Sequence, residues 1–139
     1  MPDEKEKKAK DLYMQFQLVD QQIKQMQKQL EMVTHQLIEL DSTSSSLDEF
    51  GRIQSGKEIL VPMSSGIFAK ANVKDTSELL VNVGANVVVK KDISSTKRLI
   101  QKQVEEVRKM QRQMMDELEK MTSQAVQIES QLQGIIAEG

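Results

Sequence analysis

At 139 residues the chain has room for one ordinary domain, yet its composition does not suit a thick globular core. Hydrophobic residues make up 38%, aromatics only 3%, charged residues 29%, and there is no Trp. A net charge of −2 argues against nucleic acid as a partner, and the absence of Cys excludes disulfides, thiolate zinc sites and cysteine nucleophiles together.

The amino terminus, Met1-Pro2-Asp3-Glu4-Lys5-Glu6, carries charge where a signal peptide needs an apolar stretch. No run approaches the roughly 20 apolar residues that span a bilayer. The expectation is a soluble, cytoplasmic protein with no membrane contact. From Leu12 onward, apolar residues recur at alternating steps of four and three: Leu12, Phe16, Val19, Ile23, Met26, Leu30, Val33, Leu37 and Leu40, then Ser44 and Leu47. Placing Phe16, Ile23, Leu30 and Leu37 at heptad position a puts Leu12, Val19, Met26, Val33 and Leu40 at d. That is the seam of a coiled coil, expected over residues 5–50. The Ser-, Asp- and Gly-rich stretch from Asp41 to Gly56 is where this helix is expected to fray.

The middle, residues 57–91, follows another rule. Short β-branched runs, Ile59-Leu60-Val61-Pro62-Met63, Gly66-Ile67-Phe68-Ala69, Leu79-Leu80-Val81-Asn82-Val83 and Val87-Val88-Val89, flank Ser64-Ser65-Gly66 and Gly84-Ala85-Asn86. They predict two β-hairpins joined by the polar stretch from Lys70 to Glu78. Pro62 has no N–H to donate, which places its strand at an edge or a corner. Two isolated hairpins are marginal in water, so Ile59, Val61, Ile67, Leu79, Val81, Val83, Val87 and Val89 require strands from other chains. The sequence thus predicts an oligomer assembled through its middle.

Either Asp92 or Ser94 stands where it would cap a returning helix. Over residues 93–137 the alternation resumes: Ile93, Lys97, Ile100, Val104, Val107, Gln111, Met114, Leu118, Met121, Ala125, Ile128, Leu132 and Ile135. Lys97 and Gln111 are its two polar members. Lys97 can snorkel outward, and Gln111 at a either fixes register at some cost or is a tolerated imperfection. Arms of equal length around a short middle predict an antiparallel hairpin, each arm of about 43 residues and roughly 65 Å. The fold class is therefore α+β and mostly α: a long antiparallel coiled-coil hairpin interrupted by two β-hairpins, with residues 1–139 forming a single unit.

The β-rich middle also carries a resemblance. Gly56-Lys57-Glu58-Ile59-Leu60-Val61-Pro62-Met63 resembles the first hairpin of prefoldin α-class subunits, and Ser65-Gly66-Ile67-Phe68-Ala69-Lys70-Ala71 its return strand. Val81-Asn82-Val83-Gly84-Ala85-Asn86-Val87-Val88-Val89-Lys90-Lys91 is similar to the second hairpin. Asn86 departs from the Gly of many relatives, though Asn tolerates left-handed backbone. The resemblance implies an ATP-independent holdase in an archaeal or eukaryotic cytosol. It implies two α with four prefoldin β subunits, a double β-barrel platform bearing six coiled-coil tentacles, and delivery of non-native client proteins to a group II chaperonin.

Clients held at the tips would need apolar surface that the seam does not consume. Tyr13, Met14 and Leu18 fall at e, f and c, and Val126 and Ile136 at b and e; fraying of the ends would add Leu12, Phe16, Leu132 and Ile135. Met32, Ile38, Met110 and Met115 also lie off the seam, where they either widen the core or line a cavity. His35 at f reads as solvated. Lys5–Lys10 and Lys90-Lys91 read as solvated charge, so no nucleic-acid contact is expected. No phosphate-cradling loop, metal cluster or catalytic constellation is present in the sequence, which predicts a non-enzyme without cofactor. The competing reading is a structural coiled-coil adaptor, or a prefoldin-like paralogue within another complex. A plain rod, however, has no use for two hairpins of unmatched apolar strands. A DNA-binding zipper would need a basic helix leading into the seam.

Overall fold

The computed structural model of the chain describes residues 3–138; Met1 and Pro2, with which the charged amino terminus begins, lie outside the described residues. Helix α1 runs Glu4–Gly51, strands β1 to β4 run Glu58–Ser64, Ile67–Asn72, Leu79–Asn82 and Val88–Lys91, and helix α2 runs Ile93–Glu138. The chain divides into two compact units, one of residues up to Gln36 with those from Val107 onward, the other Leu37–Glu106.

In the first unit, Leu12, Val19, Ala125 and Ile128 are buried together, with Phe16, Ile23, Met121, Leu132 and Ile135 packed around them. Thr34 meets Gln111, whose Nε2 donates to the Thr34 hydroxyl at 3.2 Å. Rising numbers on α1 therefore face falling numbers on α2, and the helices are antiparallel here. No described side chain is wholly buried, as expected of a seam one residue deep on each side. Thr34 and Thr122 donate their hydroxyls back to the carbonyls of Leu30 and Leu118 at 2.8 Å. Mid-helix threonines thereby satisfy themselves without drawing on the seam.

In the second unit, α1 continues through most of the Ser-rich stretch and ends at Gly51, one residue past the expected end. Leu40, Ser44 and Leu47 stay half-buried there and Ile100 is buried, so tertiary packing overrides weak propensity. Lys97 does not simply reach solvent: its ammonium pairs with the carboxylate of Asp48. Beyond Gly51, Arg52 and Ile53 donate to Glu49 and Phe50 three residues back, the tightened last turn that satisfies orphan carbonyls. Gly56, at φ 86°, then donates to Val73 at 2.6 Å while Val73 donates to Lys57 at 2.9 Å, which fastens the start of β1 to the chain leaving β2.

Of the two cap candidates, Asp92 does the work. Its Oδ1 accepts from the Ser95 amide at 2.7 Å, and its carbonyl accepts from the buried Thr96 hydroxyl at 2.8 Å. Hydrogen bonds from the Ser95 hydroxyl and amide hold the Asp92 carboxyl below the ordinary aspartate range.

The middle forms two separate two-stranded antiparallel sheets, β1–β2 and β3–β4. In the first, Ile59 faces Ala71 and Val61 faces Ala69 on one side, while Leu60 faces Lys70 and Pro62 faces Phe68 on the other; the register shifts between Pro62 and Ser64. Pro62 thus sits beside a bulge, where its missing N–H is tolerated. In the second, Leu79 faces Lys91 and Val81 faces Val89, with Leu80 opposite Lys90 and Asn82 opposite Val88. The turn is closed by Val83 and Val87, which are bonded N–H to carbonyl at 2.9 Å. Ala85 and Asn86 at its tip have φ of 50° and 61°, the positive pair that mirror-image hairpin turns require.

Candidate functional site

Two surfaces carry unpartnered apolar side chains. The first lies on the outer positions of the first unit. Tyr13, Met14, Leu18, Val126 and Ile136 are each more than half exposed, from 55% at Tyr13 to 69% at Ile136. The heptad explains why: e, f, c and b positions point away from the a/d contact. Leu12 is buried, and Phe16, Leu132 and Ile135 are half-buried around it. Those four belong to the seam in this conformation and would reach a ligand only if the helix ends opened. Met32, Met110 and Met115 are likewise exposed in this unit, so they do not widen the core. Met110 lines a cleft of about 200 Å³ with Met26, Gln29, Gln113, Met114 and Glu117. Ile38, exposed by 60%, belongs to the second unit.

The second surface is the β-rich middle. Among the expected assembly residues, Ile59, Leu79, Val81 and Val89 are half-buried, whereas Val61, Ile67, Val83 and Val87 are exposed. Ile59 and Leu79 line an open cleft together with Phe50, Val73 and Leu80. Sequence reasoning missed the opposite face. Leu60, Phe68, Leu80 and Val88 are 56–73% exposed, and the bulged Met63 is 69% exposed. A signal was available, because Ile59 to Met63 is an unbroken apolar run, the pattern of a strand covered on both faces. Both sheets also end in strands that pair on one side only, leaving rows of backbone donors and acceptors for further strands.

Asp75 lies below the usual carboxylate range because the Ser77 amide and hydroxyl both donate to it. Among the described residues no group of three or more His, Cys, Asp or Glu side chains could hold a metal ion. Also among them, no helix is long and apolar enough to cross a membrane.

Two long helices are joined through two β-hairpins, and comparison gives this order of elements a family. The sequence profile described as prefoldin subunit matches residues 19–138. The chain belongs to the prefoldin subunit family. Within the family its likeness is to archaeal-type α subunits. It is 27% identical over 118 residues to prefoldin subunit alpha of Thermofilum pendens, covering 85% of this chain and 92% of that one. It is 29% identical over 125 residues to prefoldin subunit alpha of Methanobrevibacter smithii, covering 90% and 80%. Among solved structures, the cryo-EM structure of filamentous PFD from Methanocaldococcus jannaschii superposes with a TM-score of 0.69, covering 88% of this chain and 96% of that one at 15% identity. That likeness is one of fold. Prefoldin membership makes the chain a chaperone-type subunit that assembles with other subunits of the family.

Proposed function

We propose that this chain is the α-class subunit of an ATP-independent, cytoplasmic holdase that captures non-native proteins at its coiled-coil ends, prevents their aggregation and passes them to a group II chaperonin. It acts without cofactor or enzymatic chemistry. The observation that carries the reading is the exposed set Tyr13, Met14, Leu18, Val126 and Ile136 on a coiled coil of a chaperone family. Scattered apolar residues are ordinary on surfaces. Five on one compact unit whose seam is already filled by other side chains form a surface suited to apolar client segments. Assembly with prefoldin β subunits, two of this chain to four of those, would proceed through the β-hairpins: Ile59, Val61, Ile67, Leu79, Val81, Val83, Val87 and Val89, together with Leu60, Phe68, Leu80 and Val88.

The test separates holding from assembly. Native mass spectrometry of this chain with a prefoldin β subunit is expected to give a mixed hexamer containing two copies of it. Substitution of the five exposed residues by Ser is expected to keep that mass and abolish suppression of client aggregation. Undiminished suppression would sink the tip assignment. A lone assembly of this chain that ignores the β subunit would favour an adaptor or a self-associating paralogue.

A further inference from the structure

Sulfur in this chain is all thioether: there are nine methionines and no cysteine. Met14, Met32 and Met115 stand on outer heptad positions of the first unit, 53–72% exposed. Met26 and Met114 differ from them. Both are half-buried seam residues, one from each helix of that unit. Both also line the open cleft of about 200 Å³, which they share with Gln29, Met110, Gln113 and Glu117. A water molecule takes about 30 Å³ of liquid volume, so the cleft admits a molecule the size of hydrogen peroxide. Apart from Met121, the other seam residues of this unit are aliphatic, aromatic or amide side chains, which peroxide leaves alone.

We infer that Met26 and Met114 form a reversible oxidation site, at which hydrogen peroxide converts thioether to sulfoxide and loosens the seam of the first unit. Peroxide transfers one oxygen atom to the sulfur lone pair; the S–O bond forms as the O–O bond breaks, and the remainder leaves as water. The sulfur loses two electrons and the peroxide gains them. A reductase dithiol reverses the step, releasing the oxygen as water and ending as a disulfide. The structural consequence follows from where the new oxygen finds donors. A sulfoxide is polar and chiral where the thioether was apolar and pliant. The next seam residues, Leu30 on α1 and Leu118 on α2, offer it no hydrogen bond. The cleft offers water and the amides of Gln29 and Gln113. The oxidised side chains therefore turn out of the seam and leave unfilled space behind them. Gln111, one seam position before Met114, is already polar, so two successive positions of α2 then lack an apolar side chain. On the outer positions of Met14, Met32 and Met115 a sulfoxide simply stays hydrated.

Titration of the full chain with hydrogen peroxide tests this, with sulfoxide at each methionine followed by peptide mass spectrometry and melting by circular dichroism. Met14, Met32 and Met115 are expected to oxidise first, with no change in melting temperature. Oxidation of Met26 and Met114 is expected to follow and to lower the melting temperature by about 5 °C. Methionine sulfoxide reductases A and B with dithiothreitol are expected to restore it. Met26→Leu with Met114→Leu conserves volume; this chain is expected to melt like the unsubstituted one before peroxide and to be unmoved afterwards. Met14→Leu with Met32→Leu and Met115→Leu is expected to keep the full response. Three results would each overturn the inference: a Met26→Leu, Met114→Leu chain that still loses about 5 °C, an unchanged melting temperature while both sulfoxides form, or a loss that tracks Met14, Met32 and Met115 instead.

Discussion

Asp92 shows how much one side chain can settle. Its carboxylate accepts from Ser95 at 2.7 Å and starts α2, and those bonds hold its ionisation below the ordinary range. For a depressed carboxyl, the unfolded chain takes up its proton first as pH falls. The stabilisation is therefore complete above the unfolded value and disappears as pH drops through the folded one. Asp92→Ala is expected to lower the melting temperature at neutral pH, with the deficit shrinking in acid. Asp92→Asn, an equally good cap, is expected to keep most of the neutral-pH stability and to remove this residue's share of the acid limb. Thermal melts by circular dichroism between neutral and strongly acidic pH would show a constant deficit for Asp92→Ala if the cap were irrelevant to titration. Gln111 makes a different case. It occupies a seam position, half-buried, and bonds Thr34 at 3.2 Å. Thr34 already has a partner in the Leu30 carbonyl, so Gln111→Leu strands no buried polar group. It is expected to raise stability by about 1 kcal/mol through added apolar burial, measured by denaturant unfolding; a loss would mean the amide contributes more than register.

Among the elements, the two helices were legible and the hairpins only in part. An alternation of three and four fixes which side of a helix is apolar, because side chains at those spacings stack on one face. The buried apolar residues of the helices, Leu12, Val19, Val33, Leu37, Ile100, Val107, Ala125 and Ile128, are all seam positions. The thinness of that seam makes each residue matter. Ile128→Ala is expected to cost about 2 kcal/mol, the low end for such truncations because exposed neighbours can relax into the space; denaturant unfolding followed at 222 nm measures it. A loss near zero would mean that the first unit draws its stability from elsewhere. In the strands, period-two alternation identifies two faces but not which will be covered when both are apolar. Leu60 and Phe68 alternate with Ile59 and Ala69, and local sequence holds no sign of which row the second unit shields. The same ignorance applies to Ala85, whose positive φ is imposed by closure of the Val83–Val87 pair.

For the whole molecule, the decisive quantity is apolar surface that one copy cannot cover. Leu60, Met63, Phe68, Leu80 and Val88 are all more than half exposed on sheets of two strands each, an arrangement marginal by itself in water. Phe68→Asp with Leu80→Asp is expected to break assembly, because each subunit contact would then bury an unpaired charge. Native mass spectrometry with a prefoldin β subunit should show free chain in place of a mixed complex, while circular dichroism keeps its helical signal. An intact complex would mean that this face stays open to solvent after assembly. The sequence alone determined the number and kind of elements, the seam and the need for partners, since each follows from local periodicity and composition. Tertiary structure alone decided that Lys97 finds Asp48 and which sheet faces stay bare. Those outcomes depend on residues far apart in sequence meeting in space, and no local pattern encodes such a meeting.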